Sequence, residues 1–121
     1  YIALGKALRK LMQENILIIG SGFSFPNMRA FSWNGSITPD PANDAVQHWL
    51  IDVCTAHIPE LEWEQKLNEW EKAPFARFCH PREEHLLPLQ VCYGIAYAGS
   101  PIAKVVFNGQ IMGKKVTSLL W

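Results

Sequence analysis

The sequence has no excess of either charge, since lysine and arginine together number 11 and aspartate and glutamate also number 11. Without a net positive charge there is no long-range field to attract nucleic acid or an anionic membrane surface. No apolar run approaches the roughly 20 residues that a membrane-spanning helix needs. We therefore expect neither nucleic acid nor membrane as a partner. The 49% hydrophobic residues, with five tryptophans, predict a folded and soluble chain.

Paired cysteines are also missing. Cys54, Cys79 and Cys92 form no CxxC motif and are odd in number, which argues against a disulfide framework and favours a cytoplasmic location. Cys79 stands beside His80, but no orienting acid completes the pattern of a thiol nucleophile, and free cysteine is usually a small buried apolar residue. The sequence opens on Tyr1 rather than methionine and shows no targeting segment, so we expect the natural start to lie upstream.

The first part of the sequence predicts a helix that leads into a buried strand. Apolar residues at three- and four-residue steps indicate an amphipathic helix over residues 1–14, and Asn15 suits the left-handed position that ends it. The aliphatic run 16–19 is typical of a strand buried on both faces. The segment 20–22, Gly-Ser-Gly, follows as a tight turn or as a phosphate-binding loop, although it lacks the further glycine and the lysine of known phosphate motifs.

The rest of the sequence predicts three more helices and a closing pair of strands. Asp40 and Pro41 fit the cap and first residue of a helix that runs to about residue 56. Further helices are predicted over residues 60–72 and 81–97, with Gly94 allowing close packing. Strands are predicted at the C-terminus, with Asn108 and Gly109 as a type I′ hairpin turn. This order indicates an α/β fold, a mixed sheet with packed helices, in a single domain.

The segment 79–89, Cys-His-Pro-Arg-Glu-Glu-His-Leu-Leu-Pro-Leu, gathers two histidines and two carboxylates and is the strongest candidate for a site. His80 and His85 are five positions apart, which is not the i, i+4 spacing of a helical metal-binding pair, so a single ligand is the better prediction. The alternative is purely structural. Pro81 suits a first helical position and the following glutamates suit the first turn, where they favour the helix dipole.

Three parts of the sequence resemble one family: Gly-Ser-Gly at 20–22 followed by Asn-Met-Arg at 27–29, the His-Pro-x-x-Glu-His-x-x-Pro-Leu element at 80–89, and the terminal strand with Thr117 and Ser118. They resemble the C-terminal half of a class III extradiol ring-cleaving dioxygenase of the DOPA 4,5-dioxygenase type. The resemblance covers residues 1–121. It implies part of a single catalytic domain with the α/β fold of the extradiol dioxygenase catalytic subunit, without its upstream half.

The resemblance implies an oxidoreductase that opens a catechol-type aromatic ring with O2 at a non-haem metal, Fe(II) in working enzymes and often Zn(II) in crystals. It assigns metal ligation to His85, and neutral imidazole is a suitable ligand for either metal. It places His80 at the pocket wall near the substrate and Glu84 as the partner that orients a ligating histidine. The segment with Ser21, Gly22, Asn27 and Arg29 would line the substrate pocket.

Two departures from the family pattern bear on activity. Pro26 stands where relatives carry an acid–base histidine, and the other two metal histidines of the family belong to the upstream half. Because positioned acid–base catalysis contributes roughly 10²–10⁴-fold, we expect this chain alone to be inactive or severely impaired. One alternative is a catalytically dead relative that serves as a binding or partner-subunit module. A sheet edge left exposed by missing strands would further predict self-association.

Overall fold

The computed structural model describes residues 1–96 and 102–121. Five α-helices and one antiparallel pair of strands make up most of this part of the chain and confirm the α/β class. In chain order the helices are α1 (Ile2–Leu8), α2 (Pro41–Thr55), α3 (Glu60–Asn68), α4 (Ala76–Cys79) and α5 (Leu87–Ala96), and the strands are β1 (Lys104–Ile111) and β2 (Lys114–Leu120). Short 3₁₀ helices span Arg9–Gln13, Met28–Ala30 and Trp70–Lys72. Across the described residues, no helix has both the length and the apolar character to cross a membrane.

The N-terminal helix forms as predicted, but the strand predicted after it does not. Helix α1 continues into the first 3₁₀ helix, and Asn15 ends the helical stretch with a φ of 53°. Residues 16–19 then belong to no helix or strand, and Leu17 and Ile19 are 80% and 77% exposed. A buried strand needs neighbouring strands to accept its backbone hydrogen bonds, and the sheet of the described residues consists only of β1 and β2.

Helix α2 begins as the sequence predicts. The Asp40 carboxylate accepts a hydrogen bond from the Asn43 N–H at 3.0 Å, and Pro41 is the first helical residue. Val46, Leu50 and Val53 are buried on the inner face. The predicted helix over residues 60–72 is also confirmed, as α3 followed by the Trp70–Lys72 turn.

Helix α5 begins six residues later than predicted. Residues 81–86 form bends and turns, and the N–H groups of Leu86 and Leu87 both donate to the Glu83 carbonyl, at 2.8 and 3.1 Å. The reason is Pro88, whose ring and missing N–H are tolerated in the first turn of a helix but not in its interior. A helix from Pro81 would have placed Pro88 in its middle. The predicted end at residue 97 and the predicted break at residues 99–101 lie outside the described residues.

The hairpin turn is also displaced from the predicted position. Strand β1 runs through Asn108 and Gly109, and the chain reverses at Met112 and Gly113, which have φ values of 51° and 78°. Positive φ at both central residues is the requirement of a type I′ turn. The register pairs Ile111 with Lys114, so the loop has two residues. The Phe107 ring covers Gly109, where an added Cβ would lie 2.7 Å from a ring carbon.

The core has two clusters, and α5 packs against α1 at one side of the larger one. A Cβ added to Gly94 would lie 2.3 Å from the Ile2 carbonyl oxygen, which confirms that Gly94 permits close packing. The Arg9 Nε donates to the Gly94 carbonyl at 2.7 Å across this contact. The larger cluster includes the aromatic pair Trp63 and Tyr93. The smaller cluster contains Phe25, Phe31, Val46, Cys79 and Val116.

Candidate functional site

A groove of about 470 Å³ is lined by the run 16–19, by the end of β2 and by residues of α5. Its lining is mainly aliphatic. The polar side-chain groups among its lining residues belong to Ser24, His85, Cys92, Thr117, Ser118 and Trp121, whose buried indole N–H has no hydrogen-bond partner among the described residues. A mostly apolar concavity with a few converging polar groups is the usual form of a small-molecule site, which makes this groove the candidate functional site.

His85 reaches the groove because it is the penultimate residue before α5 starts. The turn at Glu83 leaves the His85 side chain exposed at the groove lining. Gly22 lies directly against it, since an added Cβ there would be 2.2 Å from the His85 carbonyl oxygen. The structure therefore brings together His85 and the end of the Gly-Ser-Gly segment, two of the sequence-predicted site residues, while Ser21 is exposed and outside the lining.

His80 occupies a different environment from His85. Its side chain is buried, with a T-shaped contact to Trp70 at 5.9 Å between ring centroids, and its Nδ1 finds no hydrogen-bond partner among the described residues. Burial lowers the pKa of His80 to about 4, although the Ser24 backbone opposes the shift. Ser24 and Leu86 line both the groove and the small pocket that contains His80. His80 thus lies behind the groove wall.

The other predicted residues are not among those that line the groove. Glu84 is exposed, and its Oε1 lies 2.8 Å from the Arg82 Nε. The Asn27 Nδ2 donates to the Phe78 carbonyl at 2.7 Å, and its Oδ1 accepts from the Arg29 N–H at 3.2 Å, so this amide begins the Met28–Ala30 turn. Pro26, which is partly buried, and Arg29, which is exposed, are not lining residues either.

A buried polar network that sequence reasoning missed supports the groove wall. The Gln47 Nε2 donates to the Ser24 carbonyl, and the Thr117 Oγ1 donates to the Gln47 Oε1, both at 2.8 Å. The Thr117 N–H completes the link by donating to the Ser24 Oγ at 2.9 Å. Gln47 is 2% exposed. The sequence signal for this network is that Gln47 lies four residues after Asn43, between the apolar residues Val46 and Leu50. A polar side chain on an apolar helix face predicts hydrogen-bond partners in the interior.

The sequence of this chain is similar to those of several known dioxygenases. The chain is 33% identical over 129 aligned positions to the dioxygenase tasH of Hapsidospora irregularis, and the match covers 100% of this chain. It is 35% identical over 107 positions to a 4,5-DOPA dioxygenase extradiol of Beta vulgaris, with 87% of the chain covered. A 4,5-DOPA dioxygenase extradiol-like protein of Schizosaccharomyces pombe is 30% identical over 85% of the chain. The chain is a relative of the extradiol dioxygenases.

The match covers only part of each of these three relatives. The chain spans 39%, 37% and 33% of the length of the three relatives, in their C-terminal portion. An uncharacterized protein of Escherichia coli K12 has the same fold, with a TM-score of 0.81 and 25% identity over 98% of this chain and 47% of its own. No family profile matches the sequence.

Extradiol dioxygenases work with a metal, so the donor set of the groove matters. No group of three or more His, Cys, Asp or Glu side chains within residues 1–96 and 102–121 is placed to hold a metal ion. His85 is the imidazole in the groove, and the nearby Cys92 is a poor ligand because burial raises the pKa of its thiol, against a backbone hydrogen bond from Gly20. The described residues therefore do not by themselves form a complete metal site.

Proposed function

We propose that this chain is the C-terminal part of a non-haem extradiol dioxygenase that opens catechol-type rings with O2, and that His85 is one of its metal ligands. The main observation behind this proposal is that His85, which belongs to the motif at 80–89, is exposed in an apolar groove. The relatives named 4,5-DOPA dioxygenase support the same chemistry. Fe(II) is the expected metal, and Zn(II) would bind the same imidazole.

The described residues of this chain do not supply the donor set that a metal requires, so ring opening needs further ligands. We assign the remaining ligands to polypeptide outside these 121 residues. Within them, the apolar lining suits the face of an aromatic ring, and Ser118 provides a hydroxyl group for a polar substituent, while the Ser24 and Thr117 hydroxyls hydrogen-bond within the wall.

We further propose supporting roles for the neighbouring residues. His80 shapes the wall from behind, through Ser24 and Leu86, and its lowered pKa keeps it neutral near pH 7. In the complete site the Glu84 carboxylate orients the His85 ring. To do so it leaves its ion pair with Arg82, which is exposed and therefore weak. Gly22 has no side chain and so lets the backbone approach the His85 carbonyl closely. Ser21, Asn27 and Arg29 position the loop that contains Gly22.

A second candidate function is a catalytically inactive binding or partner-subunit module. Pro26 favours it, because proline has no side-chain atom that can transfer a proton, and because it lies outside the groove lining. In this alternative the groove retains its shape and binds an aromatic ligand or a protein segment without chemistry. The two functions differ in one measurable property, ring opening that depends on iron.

The test starts from the polypeptide that the source cells make. Its intact mass shows whether it extends beyond 13.7 kDa, and the whole polypeptide is then assayed for Fe(II)-dependent O2 uptake with a catechol. We expect His85→Ala to abolish uptake, and His48→Ala to leave it unchanged, because His48 is exposed on α2 outside the groove. Unchanged uptake in His85→Ala would remove His85 from the metal site. Catechol binding without any uptake would establish the inactive module instead.

A further inference from the structure

Asparagine followed by glycine is the dipeptide in which an asparagine side chain most readily reacts with its own backbone. The nitrogen of the following residue attacks the side-chain carbonyl carbon, and glycine has no Cβ to hinder that approach. The sequence contains two such pairs, Asn34 with Gly35 and Asn108 with Gly109. The fold places them in different environments, so we expect their reactivities to differ.

The first pair lies in an exposed turn of the loop before α2. Residues 33–36 are exposed, and nothing lies within 4 Å of a Cβ added to Gly35. The Gly35 N–H donates to the Ser32 carbonyl at 3.4 Å, which is long for such a hydrogen bond and restrains the amide weakly. Both water and the attacking nitrogen therefore have access to the Asn34 side chain.

The Asn34 side-chain oxygen accepts two hydrogen bonds from its own loop. Its Oδ1 accepts from the Ser32 Oγ at 2.7 Å and from the Ser36 N–H at 3.1 Å. The Ser36 Oγ lies 2.8 Å from the Ser32 Oγ, and since each hydroxyl has a single proton, Ser36 donates to Ser32. Attack on the carbonyl carbon places negative charge on Oδ1, and donors at that position lower the barrier.

The second pair lies inside strand β1. Asn108 is paired with Thr117, and Gly109 with Val116, so the ladder fixes the backbone of both residues. The Phe107 ring covers Gly109, where an added Cβ would lie 2.7 Å from a ring carbon. Attack by the Gly109 nitrogen requires the backbone to leave its strand conformation, which the ladder opposes. The second pair is therefore an internal control with the same dipeptide.

We propose that Asn34 is a site of spontaneous deamidation that the Ser32 and Ser36 hydroxyls promote. The Gly35 nitrogen forms a bond to the Asn34 Cγ, the side-chain amide leaves as ammonia with the proton from Gly35, and a succinimide remains. Water then opens this ring at either carbonyl, which gives aspartate or isoaspartate without any change of oxidation state. The proposal is independent of the dioxygenase chemistry, because none of these residues lines the groove.

The modification changes the contact between this loop and the hairpin. The Ser32 N–H donates to the Met112 carbonyl at 3.2 Å, and the Ser36 carbonyl oxygen lies 2.9 Å from the position of a Cβ on Gly113. Isoaspartate lengthens the backbone between Ser32 and Ser36 by a methylene group and adds a negative charge. We therefore expect the isoaspartyl form to lose protection from hydrogen exchange at the Ser32 amide.

The first test follows both pairs by peptide mapping and mass spectrometry while the full native polypeptide is incubated at neutral pH. In the folded protein we expect Asn34 to be lost at least about tenfold faster than Asn108, because the ladder must open before Asn108 reacts. In urea the two pairs should react at similar rates, since the fold then no longer distinguishes them. Equal rates in the folded protein, or aspartate formed without isoaspartate, would overturn the proposal.

Ser32→Ala tests the role of the hydroxyls. It removes one donor to Oδ1 and interrupts the link from Ser36, so the loss of Asn34 should slow about three- to tenfold, the effect of one ordinary hydrogen bond. Thr38→Ala is the matched control, since Thr38 is an exposed hydroxyl residue of the same loop. Unchanged or faster loss in Ser32→Ala would overturn the proposal, because the hydroxyls would then not promote the reaction.

Hydrogen exchange of the purified isoaspartyl form tests the effect on the hairpin. We expect faster exchange at the Ser32 amide than in the unmodified protein, because the Met112 carbonyl is no longer held in place as its acceptor. Unchanged exchange at Ser32 would overturn this effect of the modification.

Discussion

His80 and His85 lie five positions apart and occupy opposite environments. The turn at Glu83 separates them, so that His85 is exposed in the groove while His80 is 2% exposed behind Ser24. A neutral imidazole in an apolar pocket is tolerated, whereas its protonated form would lose its hydration. At neutral pH His80 is therefore a structural residue behind the groove wall, and its protonation would destabilise the folded protein.

The lowered pKa of His80 predicts a loss of stability in mild acid. Burial, and to a smaller extent the nearby His85, lowers its pKa from 6.5 to about 4 in the folded protein. Between these values the unfolded chain binds a proton that the folded protein does not. The free energy of unfolding should therefore fall as the pH drops from 6.5 towards 4, by up to about 3 kcal/mol in total.

Urea unfolding at a series of pH values tests this expectation. His80→Leu removes the titrating group and should flatten the dependence between pH 6.5 and about 5, a range where carboxyl groups contribute little. His48→Gln is the control, since it removes a histidine that is already exposed. If His80→Leu keeps the wild-type slope, His80 is not the group responsible.

At the scale of the elements, the hairpin shows how tertiary contact selects a turn. Asn108 and Gly109 have the better local sequence for a type I′ turn, yet the chain turns at Met112 and Gly113. The turn used here docks on the loop before α2, where the Ser32 N–H donates to the Met112 carbonyl at 3.2 Å. Turning there also lets β2 direct Lys115 and Thr117 towards α2 and Ser24.

Gly113 should be more sensitive to substitution than a glycine in open space. Gly113 and Gly35 have similar φ values, 78° and 76°, so alanine is strained at both. An added Cβ at Gly113 would also lie 2.9 Å from the Ser36 carbonyl oxygen, whereas nothing lies within 4 Å of one at Gly35. We expect Gly35→Ala to cost about 1 kcal/mol and Gly113→Ala about 2 kcal/mol or more. Equal losses of stability for the two variants in thermal unfolding would show that the loop with Ser36 moves to accommodate the added Cβ at Gly113.

At the scale of the whole molecule, polar contacts attach the hairpin to the helical body. The Lys114 Nζ lies 2.5 Å from the Asp40 Oδ2, and Lys114 is 7% exposed. Burial raises the pKa of Asp40, but the Lys114 ammonium and the N–H groups of Asn43 and Ala42 outweigh this effect, so the net pKa is lowered. The ion pair links the beginning of α2 to the beginning of β2, two elements far apart in the sequence.

Replacing Asp40 should lower the free energy of unfolding more than replacing Lys114. Asp40→Ala leaves the Lys114 ammonium buried without its partner and also removes the helix cap, so we expect a loss of about 3 kcal/mol or more. Lys114→Met should cost less, because the Asp40 carboxylate keeps its N–H donors. Chemical unfolding of the single and double variants gives the coupling energy. A coupling near zero would show that the pair does not attach the hairpin.

Much of the helical framework follows from local sequence rules. Asp40 with Pro41 defines the start of α2, Asn15 ends the first helical stretch, and Gly94 marks a close helix contact, because capping and steric rules act within a few residues. The His-Pro-x-x-Glu-His segment likewise identified the extradiol dioxygenase relationship and the candidate ligand His85. These features need no information from distant parts of the chain.

Contacts between distant residues decided the rest. The run 16–19 has the composition of a buried strand, but no neighbouring strand pairs with it among the described residues, so it is an exposed groove wall. Pro88 set the start of α5, and docking on the Ser32 loop accompanies the turn at Gly113. The burial of His80 and the Ser24, Gln47 and Thr117 network depend on segments that meet only in the fold. Local sequence determined where most helices begin and end, while tertiary packing determined which polar groups are buried.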